Sequence, residues 1–209
     1  MNLNLNKLYN RMKKIVFLVL AGMLSAGALQ AQSGKAFYNS PYKTRNSGSF
    51  DARYSILSFG LGAPNKAVQD TYAGWSRSGS PVVYAKYEHG IMDEVGIGGQ
   101  IALSGGSYKN GANEKVKIFA FHMAVLGYYH FNKLIPVKQL DVYAGAGLGL
   151  RVRNASSDNN GYNDNFDDTN ITVPVRVGGR YYFTDNFGAY LEAGWDDMSD
   201  AAIGVTFRL

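Results

Sequence analysis

Three histidines, His89, His122 and His130, are the first residues to weigh as catalysts. Nucleophilic hydrolysis needs a His within hydrogen-bond reach of a Ser and an acid. The local contexts are His89-Gly90-Ile91, His122-Met123-Ala124 and His130-Phe131-Asn132, so no His-x-Ser pattern occurs. His89 reads as a turn residue and the other two as interior hydrogen-bonding groups, and no enzyme is expected. A second group is the set of charges set among apolar residues: Lys86, Glu88, Arg151, Arg176, Arg180 and Glu192. Such charges either satisfy one another in a dry core or line a narrow ion path, and leaving one unpaired is costly. The stretch 154–170 carries Asp158, Asp164, Asp167 and Asp168. It fails the EF-hand spacing, because Gly161 falls too early and no Glu closes it. The run Gly145-Ala146-Gly147-Leu148-Gly149 lacks the Lys-Ser/Thr of a phosphate loop. With no Cys, thiolate metal sites and disulfides drop out as well. No metal and no cofactor is expected.

The elements that must position these charges are strands. From Ile171 every second residue through Val173, Val175, Val177, Gly179, Tyr181 and Phe183 is apolar, aromatic or glycine. Ile203, Val205, Phe207 and Leu209 repeat the pattern at the end. A period of two with one greasy face means strands half in contact with something apolar. The alternation continues upstream over residues 54–62, 81–88, 95–104, 116–131 and 140–153. It predicts about eight strands of roughly 9–14 residues, near the length that spans a bilayer at a tilt. Ile118 and Leu126 fall on the nominally polar side of the fourth. Long polar connections (63–80, 105–114, 154–170) follow strands one, three and five, and short turns follow two, four and six. Tyr72, Trp75 and Tyr162 lie in the long connections and are candidate contacts for a partner.

Alternation does not itself say which face points inward. A soluble barrel turns its apolar face in, and a membrane barrel turns it out to lipid. Here the polar face holds Gly, Tyr, Arg176, Arg180 and Glu192 rather than a dense Lys/Glu cover. The aromatics Tyr129, Phe131, Tyr181, Phe183, Phe187 and Phe207 gather at strand ends, as an interface girdle does. The membrane reading follows: all-β, an eight-stranded antiparallel up-and-down transmembrane β-barrel. Eight strands leave a lumen only wide enough for side chains, so the interior is filled. Arg176 or Arg180 is expected to face Glu192 across one hairpin.

The 209 residues carry a formal charge of +5. Of the 21 Lys and Arg, Lys7, Arg11, Lys13 and Lys14 precede residue 32 and no acid does, which leaves 17 basic against 16 acidic residues. That balance argues against a nucleic-acid partner. Residues 1–31 read as a cleaved signal peptide, with a basic start, an apolar run over 15–28 and either Ala26-Gly27-Ala28 or Ala31-Gln32 as the junction. Residues 32–50 read as a periplasmic linker and 51–209 as the barrel.

The segments SPVVYAKYEHGIMDEVGIGGQI, FHMAVLGYYHF, VRVGGRYYFTDNFGAYLEAGW and IGVTFRL, taken in order, resemble the small outer-membrane β-barrel family, OmpA-like in its transmembrane part and without a further domain. The resemblance implies a structural or surface-interaction role with no open pore. A narrow channel or transport-accessory barrel is the alternative, and a lipid-modifying enzyme the third. It implies outer-membrane lipid and lipopolysaccharide as surroundings, the outer-membrane assembly machinery as a partner during insertion, and an extracellular partner, if any, at the loops.

Overall fold

The computed structural model describes residues 49–69, 73–111, 114–157 and 166–209. The stretch expected to be a signal peptide, nearly all of the expected linker, Tyr72 and Tyr162 lie outside the described residues. Among the described residues ten strands form one antiparallel sheet: β1 (Ser55–Ala63), β2 (Trp75–Gly79), β3 (Val82–Met92), β4 (Val95–Asn110), β5 (Lys115–His130), β6 (Leu140–Ser157), β7 (Phe166–Thr172), β8 (Val175–Tyr182), β9 (Phe187–Trp195) and β10 (Ala201–Arg208). β1 pairs with β3 on one side and with β10 on the other, and β4 pairs with β5, so the sheet closes on itself.

The ten strands make eight staves. β2 and β3 both pair with β4, and β7 and β8 both pair with β6, so each couple is one stave with a break. Each break contains a proline, Pro81 or Pro174, which has no N–H to give to the ladder. The neighbouring bonds bridge the gaps: Ser80 N donates to Gly105 O at 2.9 Å and Gly147 N to Pro174 O at 3.0 Å.

The apolar face points out. Val125, Leu148, Val177, Leu191 and Ile203 are 55–66% exposed, while Tyr84, Glu88, His130, Tyr143 and Glu192 are buried in the lumen. Val175, Leu148 and Val205 all face outward. An apolar surface that runs around every stave far exceeds what a monomer shows to water. Ile118 and Leu126, the two exceptions in the period, are buried inside, each in its own apolar cluster. Glycines face several of the large side chains that fill the lumen. A Cβ on Gly178 would stand 2.7 Å from Glu192 Cγ, and one on Gly145 would stand 2.6 Å from the Tyr128 ring.

Two expectations about connections need correction. Much of the predicted loops at 105–114 and 154–170 is strand, because β4 runs to Asn110, β5 begins at Lys115, β6 runs to Ser157 and β7 begins at Phe166. There the ladder continues past the apolar belt through Gly, Ser, Lys and Asn, which carry no apolar period to read. The connection after the third stave is thus short (111–114), and the one after the fourth, 131–139, is the longer of the two. The end bearing turns 93–94, 131–139 and 183–186, with both ends of the described barrel, is called the lower end below.

Candidate functional site: the barrel interior

Inward side chains form three tiers of hydrogen-bonded charge. In the lowest, His130 on β5 stands between two carboxylates, with Nε2 at 2.6 Å from Glu88 Oε1 and Nδ1 at 2.7 Å from Asp141 Oδ1. Arg180 on β8 donates to the same pair, at 2.5 Å to Glu88 Oε2 and 3.0 Å to Asp141 Oδ2. Its guanidinium lies 4.1 Å from the centre of the Tyr143 ring. Below this ring of four, Phe50 stacks flat on His130, with centroids 3.4 Å apart and planes within 4°. Asn132 Nδ2 donates to Phe50 O at 3.0 Å, and Arg208 Nη2 donates to Ser49 O at 2.6 Å. The chain entering β1 therefore stoppers the lower mouth.

In the middle tier Lys86 pairs with Glu192, and Tyr143 donates its hydroxyl to the other Glu192 oxygen at 2.7 Å. The Lys86 ammonium also lies 5.0 Å and 5.4 Å from the ring centres of Tyr84 and Tyr190.

The upper tier centres on Asp196, in the connection 196–200, which folds back into the lumen. Asp196 accepts from Arg176 at 2.5 Å, from the Tyr84 hydroxyl at 2.9 Å and from Gln100 Nε2 at 3.0 Å. Backbone N–H groups of Met198 and Ser199 donate to it at 3.0 and 3.1 Å. Burial opposes its ionisation, but the Arg176 charge and these donors hold the carboxyl below its ordinary pKa. Above lies an apolar lid in which Met198 meets Ala67, Val68, Tyr108 and Ile118.

Charge closes on itself in this interior. Among the described residues the buried cations are Lys86, Arg176 and Arg180, and the buried carboxylates are Glu88, Asp141, Glu192 and Asp196. Ionised carboxylates only accept hydrogen bonds, so His130, bonded to one on each ring nitrogen, serves as the fourth cation. Neutrality of this kind is what a low-dielectric lumen requires.

Five of the six charged residues singled out from sequence, Lys86, Glu88, Arg176, Arg180 and Glu192, meet in these tiers. Arg151 does not. It sits at the upper rim, donating to Asp197 O at 3.2 Å and lying 3.4 Å from Asp168. The Glu192 partner is Lys86 rather than Arg176 or Arg180. The β8–β9 register puts Gly178 opposite Glu192, and it puts Gly194 and Tyr190 opposite the two arginines. Lys86 therefore reaches Glu192 from across the lumen, while Arg180 meets Asp141, its direct partner on the other adjacent stave. Asp196 was not foreseen, since it lies in a turn where no period points inward. Its only sequence signal is an acid at the start of a short Asp-rich connection.

The aromatics Tyr129, Phe131, Tyr181, Phe183, Phe187 and Phe207 lie toward the lower end of the outer face. Tyr129 meets Phe131 at 5.3 Å, and Tyr181, Phe183, Phe187 and Phe207 form a chain of contacts at 5.4–6.0 Å. Trp75 is on β2, packed against the apolar lid, not at a loop tip. His89 is on β3 rather than in a turn, and it does have a serine beside it, with Ser55 Oγ 3.0 Å from its Nδ1. Tyr87 donates to the same hydroxyl at 3.1 Å. No carboxylate among the described residues is bonded to His89, so the pair lacks the third member that orients a catalytic base. Among the described residues, no group of three His, Asp or Glu is arranged to hold a metal ion.

Among solved structures, the outer membrane protein OprG from Pseudomonas aeruginosa aligns over 78% of this chain and 98% of its own, with 10% identity and a TM-score of 0.52. The fold is that of a small outer-membrane β-barrel. The N-terminal β-barrel domain of Pseudomonas aeruginosa OprF aligns over 76% of this chain and 98% of its own, with 19% identity and a TM-score of 0.44. The attachment invasion locus protein of Yersinia pestis aligns over 75% and 95%, with 11% identity and a TM-score of 0.44. No family model matches the sequence, and no curated protein does either.

Proposed function

We propose that this chain is an integral outer-membrane barrel with a structural or surface-interaction role, exported by its leader, and that it has no open pore and is not an enzyme. The observation that carries this reading is the neutral three-tier network, stoppered below by Phe50 and lidded above by Met198. A conducting path would need mobile water beside those charges. Here each carboxylate already has its cation within hydrogen-bond distance. In planar bilayers the purified protein is expected to give no discrete current steps, and Glu192→Ala is expected to leave the record silent. Unitary steps that change on that substitution would favour the narrow-channel alternative. The lower end then faces the periplasm, and the upper connections face the cell exterior.

The Ser55–His89 pair favours a second reading, that of a lipid-modifying enzyme, because it lies on the lipid side of the wall. Without an orienting acid it is expected to be inert. Mass spectrometry of envelope lipids from cells with and without the protein is expected to match. A modified lipid species that disappears with Ser55→Ala would reverse this reading.

A further inference from the structure

We infer that the turn 131–139 is a membrane anchor: its apolar tip, Leu134 and Val137, inserts among the acyl chains of the periplasmic leaflet and sets how deep the barrel sits. This rests on the membrane reading just given and adds a contact to it.

Exposure marks the turn out. Leu134 is 78% and Val137 43% exposed, and Pro136 between them is exposed as well. The lower turn two staves away, Thr184-Asp185-Asn186, is exposed too, but it is polar. Height shows that the wall does not require the apolar tip. On β5 the outward face runs from Phe119 down to Tyr129, both exposed. Ten residues at about 3.4 Å each, on a strand tilted by about 40°, rise about 26 Å, which is the height of the apolar band of such barrels. The band is therefore complete at Tyr129, and Leu134 lies beyond it in the chain.

Continuity with the lipid-facing wall selects the occupant. The β3–β4 register shifts between Gly90 and Met92, and the consecutive residues Ile91 and Met92 are both exposed there. Met92 is paired with Val95, and Val95 with Tyr129 of the girdle. The turn 93–94 below them is tied to 131–139, with His130 N donating to Glu94 O at 2.8 Å and Lys133 2.9 Å from the Glu94 carboxylate. Asn132 Nδ2 donates to Asp93 O at 3.2 Å, which braces the same junction. One apolar surface thus passes from the wall, through the girdle, to the tip.

The backbone of the tip suits a place poor in water. Chain at the edge of the hydrocarbon must bring its own hydrogen-bond partners. Leu134 N and Ile135 N both donate to Phe131 O, at 3.0 and 2.8 Å, and Val137 N donates to Ile135 O at 2.8 Å. Pro136 has no N–H to satisfy. Every N–H from 134 to 137 is accounted for within the turn.

The sequence has no cysteine, so Leu134→Cys, Leu148→Cys and Asp185→Cys can each carry a single nitrobenzoxadiazole label in phosphatidylcholine vesicles. Heat-modifiable gel migration first establishes that each variant folds, and a Leu134→Cys that fails is replaced by Val137→Cys. Depth is then read from quenching by aqueous iodide and by lipid nitroxides at the headgroup, near the top of the acyl chain or at its middle. Leu148→Cys is expected to respond best to the mid-chain nitroxide, and iodide quenching there would contradict the membrane reading itself. An interfacial apolar face is buried about 5–10 Å into the headgroup/acyl boundary. Leu134→Cys is therefore expected to respond best to the nitroxide near the top of the chain and to be shielded from iodide, with Asp185→Cys open to iodide. With 148 quenched mid-chain, a label at 134 as open to iodide as the one at 185 overturns the inference and leaves the turn to a periplasmic protein. Shielding that is lost on diluting the barrel in lipid overturns it too, because a second copy then covers the turn. The label is itself apolar, so Lys138→Cys is also read with and without Leu134→Asn/Val137→Asn. The double substitution is expected to raise iodide quenching at 138 several-fold, and unchanged quenching contradicts the anchor.

Discussion

At the scale of single residues, the interior is a set of charges whose value lies in being complete. Arg180 serves Glu88 and Asp141 at once, so Arg180→Met leaves two carboxylates with His130 alone. We expect a loss of about 3–5 kcal/mol in urea unfolding of vesicle-inserted protein, the usual result of breaking a buried pair from one side. Lys86→Met should cost a similar amount, but Lys86→Met combined with Glu192→Leu should cost far less than the sum of the singles. The apolar pair neither needs a counter-charge nor leaves one stranded. Asp196 gives the pH dependence. Its folded pKa is depressed, so its contribution is present above the ordinary value of 3.8 and is lost as pH falls through the lowered one. Urea resistance should therefore fall in strong acid, and Asp196→Asn should flatten that fall while lowering stability at neutral pH.

The strands divide into a part that the sequence announces and a part that it does not. Where one face meets lipid and the other meets the lumen, residues such as Val125, Leu148 and Leu191 alternate with Ala124, Gly147 and Glu192, and the period is plain. The staves were legible there nearly to the residue, and the strand read over 54–62 is β1, Ser55–Ala63. Above the belt the outer face is polar and the inner one carries only scattered apolar residues such as Tyr108 and Ala155, so β4 from Gly105 to Asn110 and β6 from Asn154 to Ser157 read as loop although the ladder continues. The breaks at Pro81 and Pro174 divide two staves without changing the barrel. Orientation of the period makes a depth-dependent prediction. Leu148, paired with Val125 midway between Tyr129 and Phe119, lies near the bilayer midplane. Leu148→Arg should cost about 2–4 kcal/mol in vesicles, and Ser107→Arg, above the belt, about 0–1 kcal/mol.

For the molecule as a whole, the closed sheet and the sorting of its faces explain each other. A barrel of eight staves must fill its lumen, and a lumen filled with charge must be neutral, while the wall outside is free to be apolar. Which residues point inward was readable from the period. Which of them touch was not, because decisive contacts run between staves distant in sequence, such as Glu88 with Arg180 and Lys86 with Glu192. Local pairing rules reach only the adjacent strand, and Glu192 found its cation elsewhere. The central claim is the direction of the two faces, and the absence of cysteine makes it directly testable. Single cysteines at Phe121, His122, Met123, Ala124, Val125 and Leu126, spin-labelled in vesicles, would report collisions with lipid-dissolved oxygen and with a water-soluble nickel complex. Oxygen accessibility should be high at 121, 123 and 125 and low at 122, 124 and 126, with nickel excluded from all six. A flat profile, or one high at the even positions, would contradict the account.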